Sequence, residues 1–325
     1  MADGSNPLRL GLLGASRIAD RAIIEPAAAV DGVEIVAVAA RDKERAAVFA
    51  DQHGIARAFG SYADLLDSED VDLVYVATPP FNHAQLAIDA LRRGKAVLVE
   101  KPFSLDASEA ENVFAVARDT GLPVFEAMHS LHHPLASRVK AILADPRLGR
   151  VQHLDGRFRT TIRTSPDEFR WHARFGGGAL LDLGIYPLAW IRFVAGEPLD
   201  VTDATADMAG DVDGALTANL VLPGGATARF DCSMLDGDHD ASLAIECDHG
   251  VVSVEGMVAP HRGNRISVEL PGDAGWHETV DGPSTYQAQL AAVRDSMAGG
   301  RPLTLPADDF VRSMAAMDLI RARLR

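Results

Sequence analysis

Short apolar runs rich in β-branched residues recur through the first 128 residues, at Leu8–Leu13, Val33–Ala39, Val71–Ala77, Ala96–Val99 and Pro123–Met128. Their length and composition predict buried strands. Between them lie amphipathic stretches of helical length, among them "DKERAAVFADQHG" and "NHAQLAIDALRRG". Each opens on a residue suited to N-capping, Asp42 or Asn82, and runs to a glycine, Gly54 or Gly94. Strands alternating with helices make βαβ units, so residues 1–128 are expected to form a doubly wound α/β domain on a parallel sheet.

The rhythm then changes. The pattern predicts a helix over Leu135–Ala144 and a strand over Arg150–Thr160. From Val201 onward, alternating runs such as "ASLAIEC" and "VVSVEG" are separated by the turn signals "LPGG", "CDHG" and "LPGD". Such a succession reads as an open, mostly antiparallel sheet. Two helices, Tyr286–Met297 and Asp308–Leu324, close the chain. Residues 129–325 are therefore expected to form an α+β domain.

Composition narrows the function. The 46 acidic residues outnumber the 31 basic ones and give a net charge of −15, which argues against nucleic acid and anionic membrane surfaces as partners. Two cysteines, Cys232 and Cys247, form neither a metal-type spacing nor a disulfide framework, so a reduced cytoplasm is the expected location. The N-terminus lacks the pattern of a signal peptide, and no unbroken apolar run approaches the ~20 residues of a membrane span.

"RLGLLGASRIAD" follows the first strand and opens the first helix, where a dinucleotide fingerprint belongs. Its best match to G-x-G-x-x-G/A is Gly14, Ser16 and Ala19, with Ser16, Arg17 and Ile18 at the helix start. A serine hydroxyl there can hydrogen-bond a phosphate. A tight βα turn with no ligand is the bland alternative. The second strand ends in Ala40 and Arg41 rather than in an acidic residue. A guanidinium at that place suits the 2′-phosphate of NADP. In the other reading Asp42 takes the ribose, giving NAD, but Asp42 is also the natural cap of the next helix. "VATPPFNH" puts Thr78, Pro79, Pro80 and His83 after the third predicted strand, and "VLVEKPF" ends the next in Glu100, Lys101 and Pro102. Both lie at the carboxyl edge of the sheet, where open α/β domains bind ligands.

"GGGALLDLGIYPL" sets Asp182 and Tyr186 four residues apart behind three glycines, Gly176 to Gly178. Residues so spaced share a helix face. Pro187 requires the helix to start near Gly184 or to bend there. Taken singly, Asp182 reads as a helix cap and Tyr186 as a core aromatic.

In this order, "GASRIA", "VATPPFNH", "EKP" and "GGGALLDLGIY" resemble the Gfo/Idh/MocA family of oxidoreductases, over most of the chain. Within it, "AVAARD", "EKP" and "GGGALLDLGIY" look most like the NADP-linked dihydrodiol and D-xylose dehydrogenase branch. The resemblance implies a Rossmann domain binding NADP, with NAD possible, followed by a substrate-binding and oligomerisation domain. It implies that Lys101 contacts the nicotinamide ribose and the substrate hydroxyl, and that the Lys101–Pro102 peptide is cis. It further implies catalysis by Lys101, Asp182 and Tyr186, the tyrosine standing where many members carry histidine. Tyr186 would exchange a proton with a substrate hydroxyl as hydride moves, a cation nearby favouring its ionised form. Asp182 would orient that hydroxyl. The glycines would let backbone pass close to nicotinamide and substrate.

The expected substrate is a sugar, polyol or cyclic diol, and the expected assembly a homodimer or homotetramer pairing through an apolar face of the second-domain sheet. The resemblance makes His129 and Trp171 candidate substrate contacts, although Leu131 stands where close relatives often carry arginine. Trp171 reads equally as an aromatic that packs the loop. His129, His132 and His133 do not complete a familiar ligand pattern, so no metal is expected. The rival reading is a dinucleotide- or sugar-sensing regulator of the same fold, which has no need of a proton relay. A third keeps the enzyme but recycles a tightly held cofactor within one turnover.

Overall fold

Six parallel strands form the first sheet: β1 (Leu8–Leu13), β2 (Val33–Ala39), β3 (Arg57–Phe59), β4 (Leu73–Val76), β5 (Ala96–Val99) and β6 (Val124–Glu126). The structure is a computed structural model that describes residues 6–165, 168–235, 237–272, 274–299 and 303–324. Asp273 of the "LPGD" turn signal lies outside the described residues. The strand order is β3-β2-β1-β4-β5-β6, so the chain reverses its winding between β1 and β4. That is the doubly wound order whose reversal leaves a ligand crevice at the carboxyl ends of the strands.

Asp42 caps the helix Lys43–His53, its carboxylate accepting the amides of Glu44 at 2.8 Å and Arg45 at 3.4 Å. Asn82 does not cap the helix His83–Arg92. Its Oδ1 accepts from the Thr78 hydroxyl at 2.6 Å, and the helix is reached through a 3₁₀ turn, Pro80–Asn82. The first helix also departs from regularity, opening as a π turn, Asp20–Ile24, before Glu25–Ala29.

Compact contacts divide the chain into residues 1–129 with 286–311, and residues 130–285 with 312–325. The helix Thr285–Met297 thus packs mainly in the first unit, although a boundary near residue 128 assigned it to the second. Its Leu290 and Val293 are buried in one core with Leu10, Leu12, Val38, Leu73 and Leu98. Sequence spacing cannot reveal which sheet an amphipathic helix covers.

In the second unit eight strands form one sheet: β7 (Val151–Arg159), β8 (Asp200–Ala209), β9 (Val212–Val221), β10 (Thr227–Ser233), β11 (Asp240–Cys247), β12 (Gly250–Glu255), β13 (Arg265–Glu269) and β14 (Trp276–Glu278). Their order is β14-β13-β12-β11-β7-β10-β9-β8, antiparallel except for the β7–β10 pair. Burial alternates strictly along β9, the period of a strand with one covered face. The cover is the helix Ile185–Ala195: Pro187 sits on Gly156 of β7, and the rings of Tyr186 and Phe158 meet edge to face at 5.4 Å. The helical run Ala173–Ala195 is long and apolar enough to cross a membrane, but 83 % of its most apolar window is buried inside the protein, as in a core helix.

The opposite face of the sheet is polar where an apolar one was expected. Asp155 pairs with Arg157 at 3.0 Å and with Arg229 at 3.7 Å, and Asp231 takes both Arg159, at 2.6 Å, and the Thr217 hydroxyl, at 3.1 Å. Asp155 and Arg157 lie two apart on β7 and the rest are cross-strand or diagonal pairs, made because period-two alternation sends every second residue of β7, β9 and β10 to this face.

Candidate active site

At the carboxyl edge of the first sheet the turn after β1 needs Gly14. Its φ is +111°, and a Cβ there would stand 2.9 Å from the Ala77 carbonyl oxygen beyond β4. Two strand ends therefore approach more closely than any side chain permits. Ser16 follows with its Oγ buried and without a hydrogen-bond partner. A buried hydroxyl left unpaired is costly, and a phosphate oxygen would satisfy it. The residues present fit a dinucleotide. Arg17 is exposed and Ile18 half-buried just ahead of the π turn.

Arg41 is exposed just beyond β2. One helical turn on, Arg45 donates from Nη2 to the Ala15 carbonyl at 2.8 Å, tying the helix to the glycine turn. Arg45 also lines a depression of about 480 Å³ with Ala15, Asp42 and Phe49. Sequence reasoning passed over Arg45. The available signal was its place in the first turn of the helix that Asp42 caps, directly after β2.

His83 serves from behind. Its Nδ1 lies 2.9 Å from the Pro102 carbonyl and its Nε2 2.6 Å from that of Thr78. Burial holds the imidazole below its ordinary range, against the pull of those carbonyls. It is a strut joining the loops after β4 and β5, not a group turned to a ligand. Pro80 is buried beside it, while Thr78 and Pro79 are half-buried. Glu100 likewise faces inward: it accepts the Tyr75 hydroxyl and, at 3.3 Å, the Lys101 amide. Burial raises its carboxyl above the usual range. Lys101 follows, half-buried, on a cis peptide to Pro102.

In the second unit Asp182 and Tyr186 lie on one helical run, 8 % and 5 % exposed. The run opens as a π turn, Leu180–Gly184, and continues as the α-helix from Ile185, so the bend expected near Gly184 is a change of helix type. π turns inside helices recur at functional sites. Asp182 accepts from Arg170 Nε at 2.7 Å, and Arg170 Nη1 reaches Glu168 at 2.8 Å. The two carboxylates hold the guanidinium charged, its pKa raised against the desolvation that opposes it.

The glycine run has an internal cause. A Cβ on Gly177 would strike the Arg170 carbonyl, and one on Gly178 the Asp213 carboxylate. Asp213 in turn accepts the Leu180 amide at 2.7 Å, capping the π turn.

The remaining candidates separate. His129 stacks on Tyr286 at 4.0 Å between ring centroids. His133 accepts the Leu135 amide at 3.1 Å and caps the helix Pro134–Leu143. Burial alone pulls His132 down to about 4. Leu131 is buried, 2 % exposed. Trp171 ends the 3₁₀ turn Phe169–Trp171, its indole N–H buried without a partner. Among the described residues no group of three or more His, Cys, Asp or Glu side chains is placed to hold a metal ion.

A doubly wound domain with a phosphate-ready glycine turn, followed by a sheet domain bearing a buried acid and phenol, defines a nicotinamide-dinucleotide-dependent oxidoreductase. The chain belongs to the Gfo/Idh/MocA family: residues 8–128 match its oxidoreductase domain with an NAD-binding Rossmann fold, and residues 136–253 its C-terminal domain. It is 36% identical over 317 residues to a dTDP-3,4-didehydro-2,6-dideoxy-alpha-D-glucose 3-reductase of Actinomadura kijaniata, covering 96% of this chain and 87% of that one. It is 29% identical over 316 residues to a D-xylose 1-dehydrogenase (NADP(+)) of Haloferax volcanii, covering 96% of each. Its fold superposes with a TM-score of 0.90 on KijD10, a 3-ketoreductase from Actinomadura kijaniata solved with NADP and TDP-benzene, at 27% identity over 98% of both chains.

Proposed function

We propose that this protein transfers hydride between NADP(H) and the hydroxyl or carbonyl carbon of a sugar, polyol or cyclic diol, free or carried on a nucleotide. The observation that carries the reading is the pairing of a carboxylate and a phenol in a buried helical run. Asp182 and Tyr186 are the only ionisable side chains from Ala179 to Ile191, every residue of which is buried. Burying ionisable groups there weakens the core, so their presence asks for a use.

Ser16 and the turn at Gly14 would hold the pyrophosphate, and Arg41 with Arg45 would receive the 2′-phosphate. A nicotinamide held there would supply the hydride chemistry. Tyr186 takes the proton from the substrate hydroxyl in oxidation and returns it in reduction, a role worth about 10²–10⁴ in rate. Lys101 supplies positive charge that favours the phenolate. Asp182 accepts a hydrogen bond from the substrate and so fixes its orientation. Trp171, with its unpaired indole N–H, is a further substrate contact. The protein works as a homodimer or homotetramer; light scattering showing monomer alone removes that part of the proposal.

The test is nicotinamide absorbance with purified protein, NADP(H) or NAD(H), and a panel of aldoses, polyols, cyclic diols and nucleotide-linked ketosugars. Turnover on one class with NADP preferred supports the reading. Nucleotide binding with no turnover on any member favours the sensor instead.

A further inference from the structure

We propose that Arg170 is a positioning residue for the reaction: clamped between Glu168 and Asp182, it fixes the orientation of the Asp182 carboxylate toward substrate. The inference rests on the proposed function, because it acts through Asp182.

Arg170 is held at three points, all within the second unit. Its Nε donates to Asp182 Oδ2 at 2.7 Å, its Nη1 donates to Glu168 Oε1 at 2.8 Å, and its carbonyl accepts the Gly178 amide at 3.0 Å. Both carboxylate side chains are about nine-tenths buried, and the guanidinium side chain is 26 % exposed. Its plane also lies over the Phe169 ring, 4.8 Å from the centroid. A guanidinium presents its donors in a rigid fork, so fixing two of them fixes the plane. Asp182 needs such a brace because it sits in the π turn rather than in a regular helix. The glycines complete the arrangement: Gly177 has no side chain where the Arg170 carbonyl lies, so the 168–171 segment lies against the start of the run that carries Asp182.

An ion pair between one arginine and one aspartate would need no second acid. Glu168 makes the difference. It takes one end of the guanidinium and leaves the other for Asp182, so the arginine cannot swing away. The cluster keeps one net negative charge, which preserves Asp182 as a hydrogen-bond acceptor for a substrate hydroxyl. A misplacement of about 1 Å at such a group costs up to about 10²-fold in rate.

Turnover is measured for Arg170→Lys, Glu168→Gln/Arg170→Gln, Asp182→Asn and Arg170→Lys/Asp182→Asn, with nucleotide affinity and melting temperature followed separately. Arg170→Lys keeps the charge and loses the fork; kcat is expected to fall about 10-fold with nucleotide affinity unchanged. The Glu168/Arg170 double variant removes one charge of each sign and leaves the net charge of the cluster unchanged; its kcat falls about 100-fold and is partly restored by added guanidinium. Asp182→Asn falls at least as far, and adding Arg170→Lys to it costs nothing more, because Arg170 has nothing left to position. If Asp182→Asn is impaired while the Arg170 variants match the wild type, the inference fails and the functional reading stands. Losses that multiply in the Arg170→Lys/Asp182→Asn protein, or a loss that tracks melting temperature without guanidinium rescue, overturn it too. A fully active Asp182→Asn removes the inference together with the role given to Asp182, and leaves hydride transfer standing.

Discussion

Gly178 and Asp213 compete for one place: the carboxylate of Asp213 fills the space that a side chain on Gly178 would need, and its other oxygen holds the Leu180 amide at 2.7 Å. With φ at +116°, Gly178 is also in a conformation that costs other residues about 1–2 kcal/mol. Gly178→Ala is expected to lower stability by more than that amount and to reduce turnover, because displacing Asp213 loosens the turn that carries Asp182. Gly54→Ala is the control. Its φ is +66° with nothing within 4 Å, so thermal unfolding is expected to show only the left-handed backbone cost of about 1–2 kcal/mol, with unchanged turnover.

Tyr186→Phe removes one oxygen and keeps the ring on Phe158. Turnover is expected to fall at least about 10²-fold while nucleotide affinity, read by fluorescence titration, stays within about twofold. Undiminished turnover would remove Tyr186 from the mechanism.

Arg41→Ala is expected to weaken NADP far more than NAD, since only the 2′-phosphate distinguishes them. Arg45→Ala should do the same and also weaken NAD somewhat, through the lost bond to the Ala15 carbonyl. Equal losses for both nucleotides in Arg41→Ala would mean that Arg41 meets no phosphate.

Acid sensitivity follows from His132. Its burial lowers the folded-state value to about 4, below the ordinary value of 6.5, so the folded protein binds fewer protons than the unfolded chain between these limits. This contribution to stability is complete above pH 6.5 and is lost as pH falls toward 4, by at most about 3 kcal/mol. Urea midpoints at a series of pH values should drop less steeply in His132→Asn. An identical slope would assign the acid sensitivity to other groups.

Much of the first unit was legible because its signals are local. β1, β2 and β5 begin and end where the apolar runs do, and Asp42 caps as its type suggests. The short strand β3, Arg57–Phe59, was missed because three residues carry no period. Asn82 misled because a residue at a capping position can spend its oxygen elsewhere, here on Thr78. The acid and phenol of the second unit were visible from their spacing. Arg170 and Glu168 were not recognised as partners of Asp182, since their meeting depends on how the glycine run folds back. His83 and Glu100 were legible as special but not as struts, because their partners are backbone carbonyls and a hydroxyl on neighbouring strands.

The return of the helix Thr285–Met297 to the first unit bears on how the protein is made. Leu290 and Val293 fill a core whose other walls are complete by Ala127. A ribosome adding about 5–20 residues per second reaches Leu290 roughly 8–33 seconds after that point. Through this interval the nascent nucleotide-binding unit exposes the apolar patch that the late helix will cover. A fragment ending near residue 129 is caught permanently in that state, and should need a chaperone or the missing helix supplied in trans to remain in solution.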